Sequence, residues 1–171
     1  FKTIQRTMNH LNEKTLAEIN RLHVPSFTKL AGVDSSGLKT TRRGTWLIIR
    51  FKRELRKRDF KKMNIFVDIE TKKIIACVLT KGTSSDHRQL KMLLRRCQWF
   101  RMEIVLADGG YDTKECFHEI ANRGAIPGIK VRNNASRKAK GCPVRKKAVI
   151  AQKDHYNDWR TLVRYPMRCV I

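Results

Sequence analysis

The chain has 171 residues, 41% of them hydrophobic and 31% charged, which suits one folded domain with its own core and excludes a disordered chain. Thirty-eight Lys and Arg against fifteen Asp and Glu give a net charge of +23, so nucleic acid is the expected partner. No apolar run approaches the length of a membrane span, so a membrane protein is not expected.

The cysteines do not suit a metal site or a disulfide framework. They lie 19 to 27 residues apart, are odd in number and contain no CxxC pair. We expect reduced thiols in a cytoplasmic protein, because no signal peptide opens the chain. The sequence begins at Phe1 and ends at Ile171 without a polar tail, which predicts a fragment of a longer protein.

The first third of the chain predicts a helix, a strand and a basic run. Apolar residues at helical spacing predict a helix over 8–22, which Pro25 stops. Residues 29–33 predict a strand that ends at Asp34, since Ser35-Ser36-Gly37 favours a turn. The stretch 50–62 contains eight Lys or Arg in thirteen residues, which favours contact with phosphates.

The rest of the chain alternates strands and helices. The runs NIFVDIE and KIIACVLT predict a hairpin, and two helices are predicted over 84–97 and from Asp112 to about Asn122. Short strands are predicted at 103–107 and in AIPGIKV. We expect the Lys-rich segment 123–153 to be irregular, mobile and DNA-facing. This order predicts an α/β domain with a mixed sheet.

Two carboxylates stand out by position. Asp34 and Asp108 each follow an apolar strand directly and are each followed by small residues. The crevice beyond strand ends is a common ligand site in α/β sheets, and Mg²⁺ takes one or two carboxylates together with substrate phosphates. An aspartate at such a junction also forms turns with its own backbone, so this pattern alone leaves both interpretations open.

Other polar residues are better interpreted structurally. Asp86 and Asp112 stand where helix caps are expected, and Asp68 in an alternating strand is expected to be solvated. Asp59 is expected to pair with an arginine, and the histidines have no partners at ligand spacing. We expect packing roles for these aromatic residues: Trp46, Trp99, Tyr111 and Trp159.

Three blocks in order resemble a known family. They are GVDSSGLK, FVDIETKKIIACVLTKGTSSDHRQL and VLADGGYDTKECFHEI. Together they resemble the transposase domains of bacterial and archaeal insertion sequences, which have an RNase H-like fold and a DDE catalytic triad. The resemblance covers about residues 29–171, after an N-terminal helical segment over 1–28. It implies an RNase H-like mixed sheet with flanking helices, incomplete at the C-terminus.

The resemblance also implies catalytic and metal-binding residues. Asp34 would be the first catalytic aspartate and Asp108 the second, both holding Mg²⁺ or Mn²⁺ as a pair of ions. The third acid belongs to a signature Y-x2-R-x3-E-x6-K, which Tyr165 and Arg168 open. Its glutamate is due directly after Ile171, so we expect the chain as given to be badly impaired in chemistry.

The implied function is metal-dependent DNA strand cleavage and transfer in transposition. The implied partners are transposon ends and target DNA, and a homo-oligomer is expected for the full-length protein in the nucleoid of a prokaryotic cytoplasm. The residues predicted to contact DNA are Arg50, Lys52, Arg53, Arg56, Lys57, Arg58, Arg132, Arg137, Lys138, Lys140, Arg145, Lys146, Lys147, Tyr165 and Arg168.

Two alternatives remain open at the level of sequence. A catalytically inactive DNA-binding remnant of a transposase explains the charge equally well and accommodates the missing glutamate. A related RNase H-like nuclease is the other alternative, against which the Tyr165 and Arg168 pair argues mildly.

Overall fold

The computed structural model describes residues 13–39, 60–138 and 140–171. In chain order the helices and strands are α1 Glu13–His23, β1 Phe27–Lys39, β2 Phe60–Asp68, β3 Ile74–Lys81, α2 Asp86–Arg96, β4 Arg101–Ala107, α3 Lys114–Ala121, β5 Ile126–Ile129, α4 Pro143–Asp154 and α5 Tyr156–Leu162. Two 3₁₀ turns complete them, at Gly109–Tyr111 and Tyr165–Val170. The predicted order β, β, β, α, β, α, β is confirmed from β1 to β5.

The strands form one mixed five-stranded sheet in the order β3-β2-β1-β4-β5. The first three strands are antiparallel neighbours, whereas β4 pairs parallel with β1 and β5 pairs parallel with β4. The predicted β2–β3 hairpin is present, and Lys72 in its turn takes a positive φ of 59°. The predicted α/β architecture, a mixed sheet with flanking helices, is confirmed.

Alternation along the strands divides the core between the two sheet faces. Ala31 and Val33 of β1 pack in a large cluster with the apolar faces of α2 and α3. Leu30 points the other way, into a smaller cluster with Leu106 and with Trp159 of α5. Because side chains alternate along a strand, each later position on β1 and β4 can be assigned to one of these faces.

Carboxamide side chains cover backbone groups at both edges of the sheet. Asn20 of α1 donates its Nδ2 to the carbonyl oxygens of Ile74 and Ile75 on β3, at 2.9 Å each. Beyond β5, the buried Gln152 of α4 donates to Ile129 O at 2.8 Å and accepts from Val131 N at 2.9 Å. Helices therefore satisfy edge groups that a further strand would otherwise pair.

The prediction that a strand ends at Asp34 is wrong. Strand β1 continues to Lys39, and its residues remain paired with β2 as far as Lys39 opposite Phe60. The Ser35-Ser36-Gly37 run favours a turn locally, but the antiparallel ladder with β2 satisfies its backbone groups instead. Asp34 thus lies within a strand at the middle of the sheet.

The prediction of an irregular segment over 123–153 is wrong from Pro143 onward, where the helix α4 begins with Pro143 in its first turn. The strand predicted within AIPGIKV is present as β5. Only Val149 and Gln152 of α4 are buried, so few apolar residues marked this helix in the sequence. Predicted residues 8–12 of the first helix, Trp46 and Asp59 lie outside the described residues.

Both predicted aspartate caps are wrong. Ser85 is the N-cap of α2, while Asp86 pairs with Lys62 at 2.7 Å. Thr113 is the N-cap of α3 and accepts a hydrogen bond from the Cys116 amide at 3.2 Å. Asp112 is instead buried.

Asp68 is buried rather than solvated, being only 1% exposed at the end of β2. Its Oδ1 accepts from Thr28 Oγ1 at 2.7 Å and from the Glu70 amide at 3.0 Å. Its Oδ2 accepts from Thr71 Oγ1 at 2.7 Å. The carboxylate thus ties the start of β1 to the β2–β3 turn.

Trp159 is buried and Trp99 is partly buried against Phe100, as predicted for packing residues. All five cysteines are free. Within the described ranges, no helix has the length and apolar character needed to cross a bilayer.

We expect Asp68→Ala to lower the free energy of unfolding by about 2–3 kcal/mol, because buried donors lose a charged acceptor. Glu70→Ala is the matched control, since the Glu70 side chain is exposed and forms a surface ion pair with Arg164. Its cost should stay below about 1 kcal/mol. Urea unfolding at constant m-value measures both, and equal midpoints for the two variants would contradict the assigned role of Asp68.

Candidate catalytic site

The parallel register of β1 and β4 aligns Asp34 with Asp108. Gly32 pairs with Leu106, and extending the same register by two residues on each strand brings the two aspartates opposite each other. Asp108 keeps an extended backbone, with φ −80° and ψ −179°, so the alternation of side chains continues through it. Neighbouring strands lie about 4.8 Å apart, which sets the spacing of the two backbones.

Both aspartates belong to the face of the sheet that α5 covers. Asp34 follows Leu30 by an even number of residues, as Asp108 follows Leu106, and both leucines lie in the smaller cluster on that face. The structure therefore brings together the two carboxylates that the sequence singled out. Asp34 is half-buried, and the Asp108 side chain is 44% exposed, so solvent reaches the pair.

The two carboxylates differ in their contacts. Within the part of the chain that the structure describes, the Asp34 carboxylate makes no hydrogen bond or ion pair. Asp108 Oδ1 accepts from the Gly110 amide at 2.8 Å, and a Cβ placed on Gly110 would come within 2.9 Å of that same oxygen. Glycine at this position therefore lets the backbone approach the carboxylate closely.

Tyr165 and Arg168 lie beside Asp108. Arg168 Nη2 is 3.6 Å from Asp108 Oδ2, which is an ion-pair distance rather than a hydrogen bond. The Tyr165 hydroxyl donates to Ala107 O at 3.4 Å, and its ring packs 5.0 Å from that of Trp159. Burial raises the pKa of Tyr165 above its usual value.

The donor chemistry of this pair suits a hard divalent cation. Carboxylate oxygens are the ligands that Mg²⁺ and Mn²⁺ take, and one carboxylate here is free of protein partners within the described residues. Among those residues, however, no group of three or more His, Cys, Asp or Glu is placed to hold a metal ion. Metal binding by Asp34 and Asp108 therefore stays a prediction.

The loop that follows Asp108 is anchored by contacts that the sequence did not predict. Asp112 receives two hydrogen bonds from Arg145, from Nε at 2.7 Å and from Nη2 at 2.9 Å. The Arg132 amide donates to the same carboxylate at 2.9 Å, and Arg132 Nε donates to Gly109 O at 3.2 Å. No local pattern marks such a pair, because its members lie in different elements.

The predicted DNA-contact residues divide into three groups. Lys138, Lys140, Lys146 and Lys147 are exposed. Arg137 pairs with Asp154, while Arg132, Arg145, Tyr165 and Arg168 make the contacts described above. The remaining six lie outside the described residues: Arg50, Lys52, Arg53, Arg56, Lys57 and Arg58. Contact with DNA stays a prediction for all of them.

Tyr111 packs beneath the loop and is 1% exposed, as expected for a packing residue. Its hydroxyl oxygen is buried without a hydrogen-bond partner among the described residues. Burial raises the pKa of Tyr111 well above its usual value, and the negative charges of Asp86, Asp34 and Asp108 raise it further. The phenol is therefore held neutral close to the carboxylate pair.

Two comparisons place the chain among known proteins. The family model described as the transposase DDE domain matches residues 25–171. Among solved structures, a piggyBac transposase in a synaptic complex with hairpin DNA is similar, with 12% identity and a TM-score of 0.43. The match covers 80% of this chain and 31% of that one, so this chain spans less than a third of the transposase's length.

We expect Tyr111→Phe to leave the free energy of unfolding unchanged or to raise it by up to about 1 kcal/mol. The substitution keeps the packed ring and removes a buried hydroxyl that has no hydrogen-bond partner among the described residues. Tyr165→Phe, which removes a hydrogen bond, should instead cost about 1 kcal/mol. Thermal and urea unfolding would measure both. A loss above about 1 kcal/mol for Tyr111→Phe would mean that its hydroxyl has a partner.

The pH dependence of the Tyr111→Phe effect follows from its raised pKa. The unfolded chain ionises this tyrosine above about pH 10, while the folded protein keeps it neutral. The wild-type protein therefore loses stability as pH rises through that range, and Tyr111→Phe lacks this loss. The free energy of unfolding of Tyr111→Phe, relative to that of wild type, should therefore increase above about pH 10.

Proposed function

The chain belongs to the transposase DDE domain family, and on that premise we propose that it cleaves and joins DNA with Asp34 and Asp108 as two of its catalytic carboxylates. The observation that carries the proposal is the register of β1 and β4, which aligns these side chains on one face of the sheet. The substrate is DNA at the ends of a mobile element, together with target DNA. The reaction is hydrolysis that frees a 3′-hydroxyl, followed by attack of that hydroxyl on the target.

The DDE transposase family uses divalent metal ions. Asp34 and Asp108 would hold Mg²⁺ or Mn²⁺ between β1 and β4, and two such ions would stabilise the charge that develops as a phosphodiester is cleaved. Asp34 is ready for this role because its carboxylate has no competing partner in the described part of the chain. Asp108 is held by the Gly110 amide through one oxygen, while Arg168 stands 3.6 Å from the other.

The positive side chains around the pair would bind and orient the DNA. Arg168 lies next to Asp108, where its guanidinium can take a phosphate oxygen of the strand being cut. The exposed lysines of α4 and the preceding loop extend this positive surface. Such contacts position the duplex without reading its sequence, and holding the phosphate in place is itself a large part of catalysis.

Ile171 lies on the face of the sheet that carries Asp34. The 3₁₀ turn Tyr165–Val170 leads to it, and its side chain packs over Gly32. The third carboxylate of the triad stays a prediction.

We expect Asp34→Asn and Asp108→Asn each to lower metal-dependent cleavage of terminal-repeat DNA by at least about 100-fold in the full-length protein, since loss of a direct ligand costs at least as much as loss of its outer support. Glu103→Gln is the matched control, because it removes one exposed carboxylate from β4, the strand that leads to Asp108. Nicking with Mg²⁺, Mn²⁺ or EDTA is measured on gels. Equal cleavage by all three variants would refute the proposal. DNA binding without any cleavage would leave the inactive remnant as the better description.

The salt dependence of DNA binding tests the positive surface. We expect Lys146→Gln combined with Lys147→Gln to reduce the slope of log Kobs against log salt by about 0.9 for each lost phosphate contact. Lys91→Gln is the control, because Lys91 pairs with Glu119 on α2 and α3. Fluorescence anisotropy over a salt series measures the slopes. An unchanged slope in the double variant would show that these lysines do not touch DNA.

A further inference from the structure

The loop of residues 108–112 is fastened to the basic segment by a buried ion pair, and we propose that Asp112 and Arg145 are positioning residues for Asp108. This inference rests on the metal-binding role proposed for Asp108. It also gives Arg145 a role different from the DNA contact predicted from the sequence. The two side chains, together with Arg132, are called the loop clamp.

The geometry of the loop clamp is that of a well-satisfied buried pair. The Asp112 side chain is 0% exposed and that of Arg145 is 15% exposed. Arg145 meets the carboxylate through two nitrogens, at 2.7 and 2.9 Å, and the Arg132 amide supplies a third donor at 2.9 Å. The hydrogen bonds to Asp112 raise the pKa of Arg145 above its usual value.

Stability alone does not account for such a pair. Removing two charges from water costs several kcal/mol per ion, so a buried pair is often no better than well-packed apolar residues. A bidentate pair does fix direction, because the planar guanidinium meets both carboxylate oxygens at once. The loop clamp therefore contributes position more than net stability.

A series of hydrogen bonds and packing contacts along the loop connects the loop clamp to Asp108. Arg132 Nε donates a hydrogen bond to Gly109 O at 3.2 Å, and Gly110 N donates one to Asp108 Oδ1 at 2.8 Å. The Tyr111 side chain is buried in the core. Each residue between Asp108 and Asp112 thus has an anchor. Since the Gly110 amide sets the direction of the Asp108 carboxylate, any shift of the loop turns that carboxylate.

Two aspartates on different strands can share a cation only if both stay in place. Metal ligands must be held to within about 0.5 Å, which requires support from residues outside the ligand shell. Asp34 has that support from its place within β1, where it pairs with Ile65 of β2, whereas Asp108 lies just past the end of β4. The loop clamp therefore holds Asp108 in place, as strand pairing in the sheet holds Asp34.

Arg145→Lys tests the loop clamp, because lysine keeps the charge and loses the two-pronged contact. Hydrogen exchange of the Gly110 amide in the metal-free protein should become at least about tenfold faster, through local opening of the loop. Arg137→Lys is the matched control, since it alters an exposed arginine–aspartate pair in the same basic segment and should leave Gly110 unchanged. Unchanged Gly110 exchange in Arg145→Lys would overturn the inference.

A second variant keeps the test decisive if Arg145→Lys does not fold. Arg132→Lys removes the exposed contact to Gly109 O and leaves the buried pair intact, so it should also speed Gly110 exchange while the unfolding midpoint stays close to wild type. Equal exchange in wild type and Arg132→Lys would count against the inference.

Mn²⁺ titration separates this inference from the proposed function. We expect Arg145→Lys to weaken Mn²⁺ binding about tenfold and Arg137→Lys to leave the Mn²⁺ affinity unchanged. A purely structural role of Arg145 would not produce this difference in the folded protein. Wild-type Mn²⁺ affinity in Arg145→Lys would overturn the positioning role. The proposed function fails if the wild-type protein binds no Mn²⁺, or if Asp34→Asn does not reduce the Mn²⁺ binding. In that case the hydrogen-exchange experiment still tests the loop clamp.

Discussion

The site depends on the parallel register between β1 and β4. Side chains alternate along a strand, so a slip of one residue would send Asp108 to the opposite face of the sheet from Asp34. Leu30 and Leu106 hold the register, because both must reach the same small cluster around Trp159. Apolar packing on this face thus fixes the relation between two polar residues that lie far apart in the sequence. The function proposed for the protein depends on hydrophobic contacts.

Acidic residues are scarce in this chain, and two of the described ones form buried contacts that join elements of the fold. Asp68 joins β1 to the β2–β3 turn, and Asp112 joins the Asp108 loop to α4. Both are buried and hydrogen-bonded within the protein. The net charge of +23, which already counts every acidic residue, favours a polyanion as partner, and Asp34 and Asp108 stand as an acidic island within it.

Sequence patterns predicted the element order, the hairpin and the mixed sheet, because each depends on local periodicity. They also selected Asp34 and Asp108, although Asp34 lies inside a strand rather than at its end. The roles of Asp68 and Asp112 could not be predicted, since burial and partners at long range decide them. Arg145 shows the same limit: its Lys-rich surroundings indicated phosphate contact, whereas its position on α4 places it against Asp112. The helix α4 was missed because only two of its residues are buried.

The carboxamides of Asn20 and Gln152 have a consequence for the behaviour of the protein in concentrated solution. Open sheet edges are templates on which another chain can add a strand, and this leads to aggregation. Here single side chains from α1 and α4 occupy carbonyl and amide groups at the two outer strands. A further strand from another chain would have to displace these side-chain contacts before it could pair at either edge.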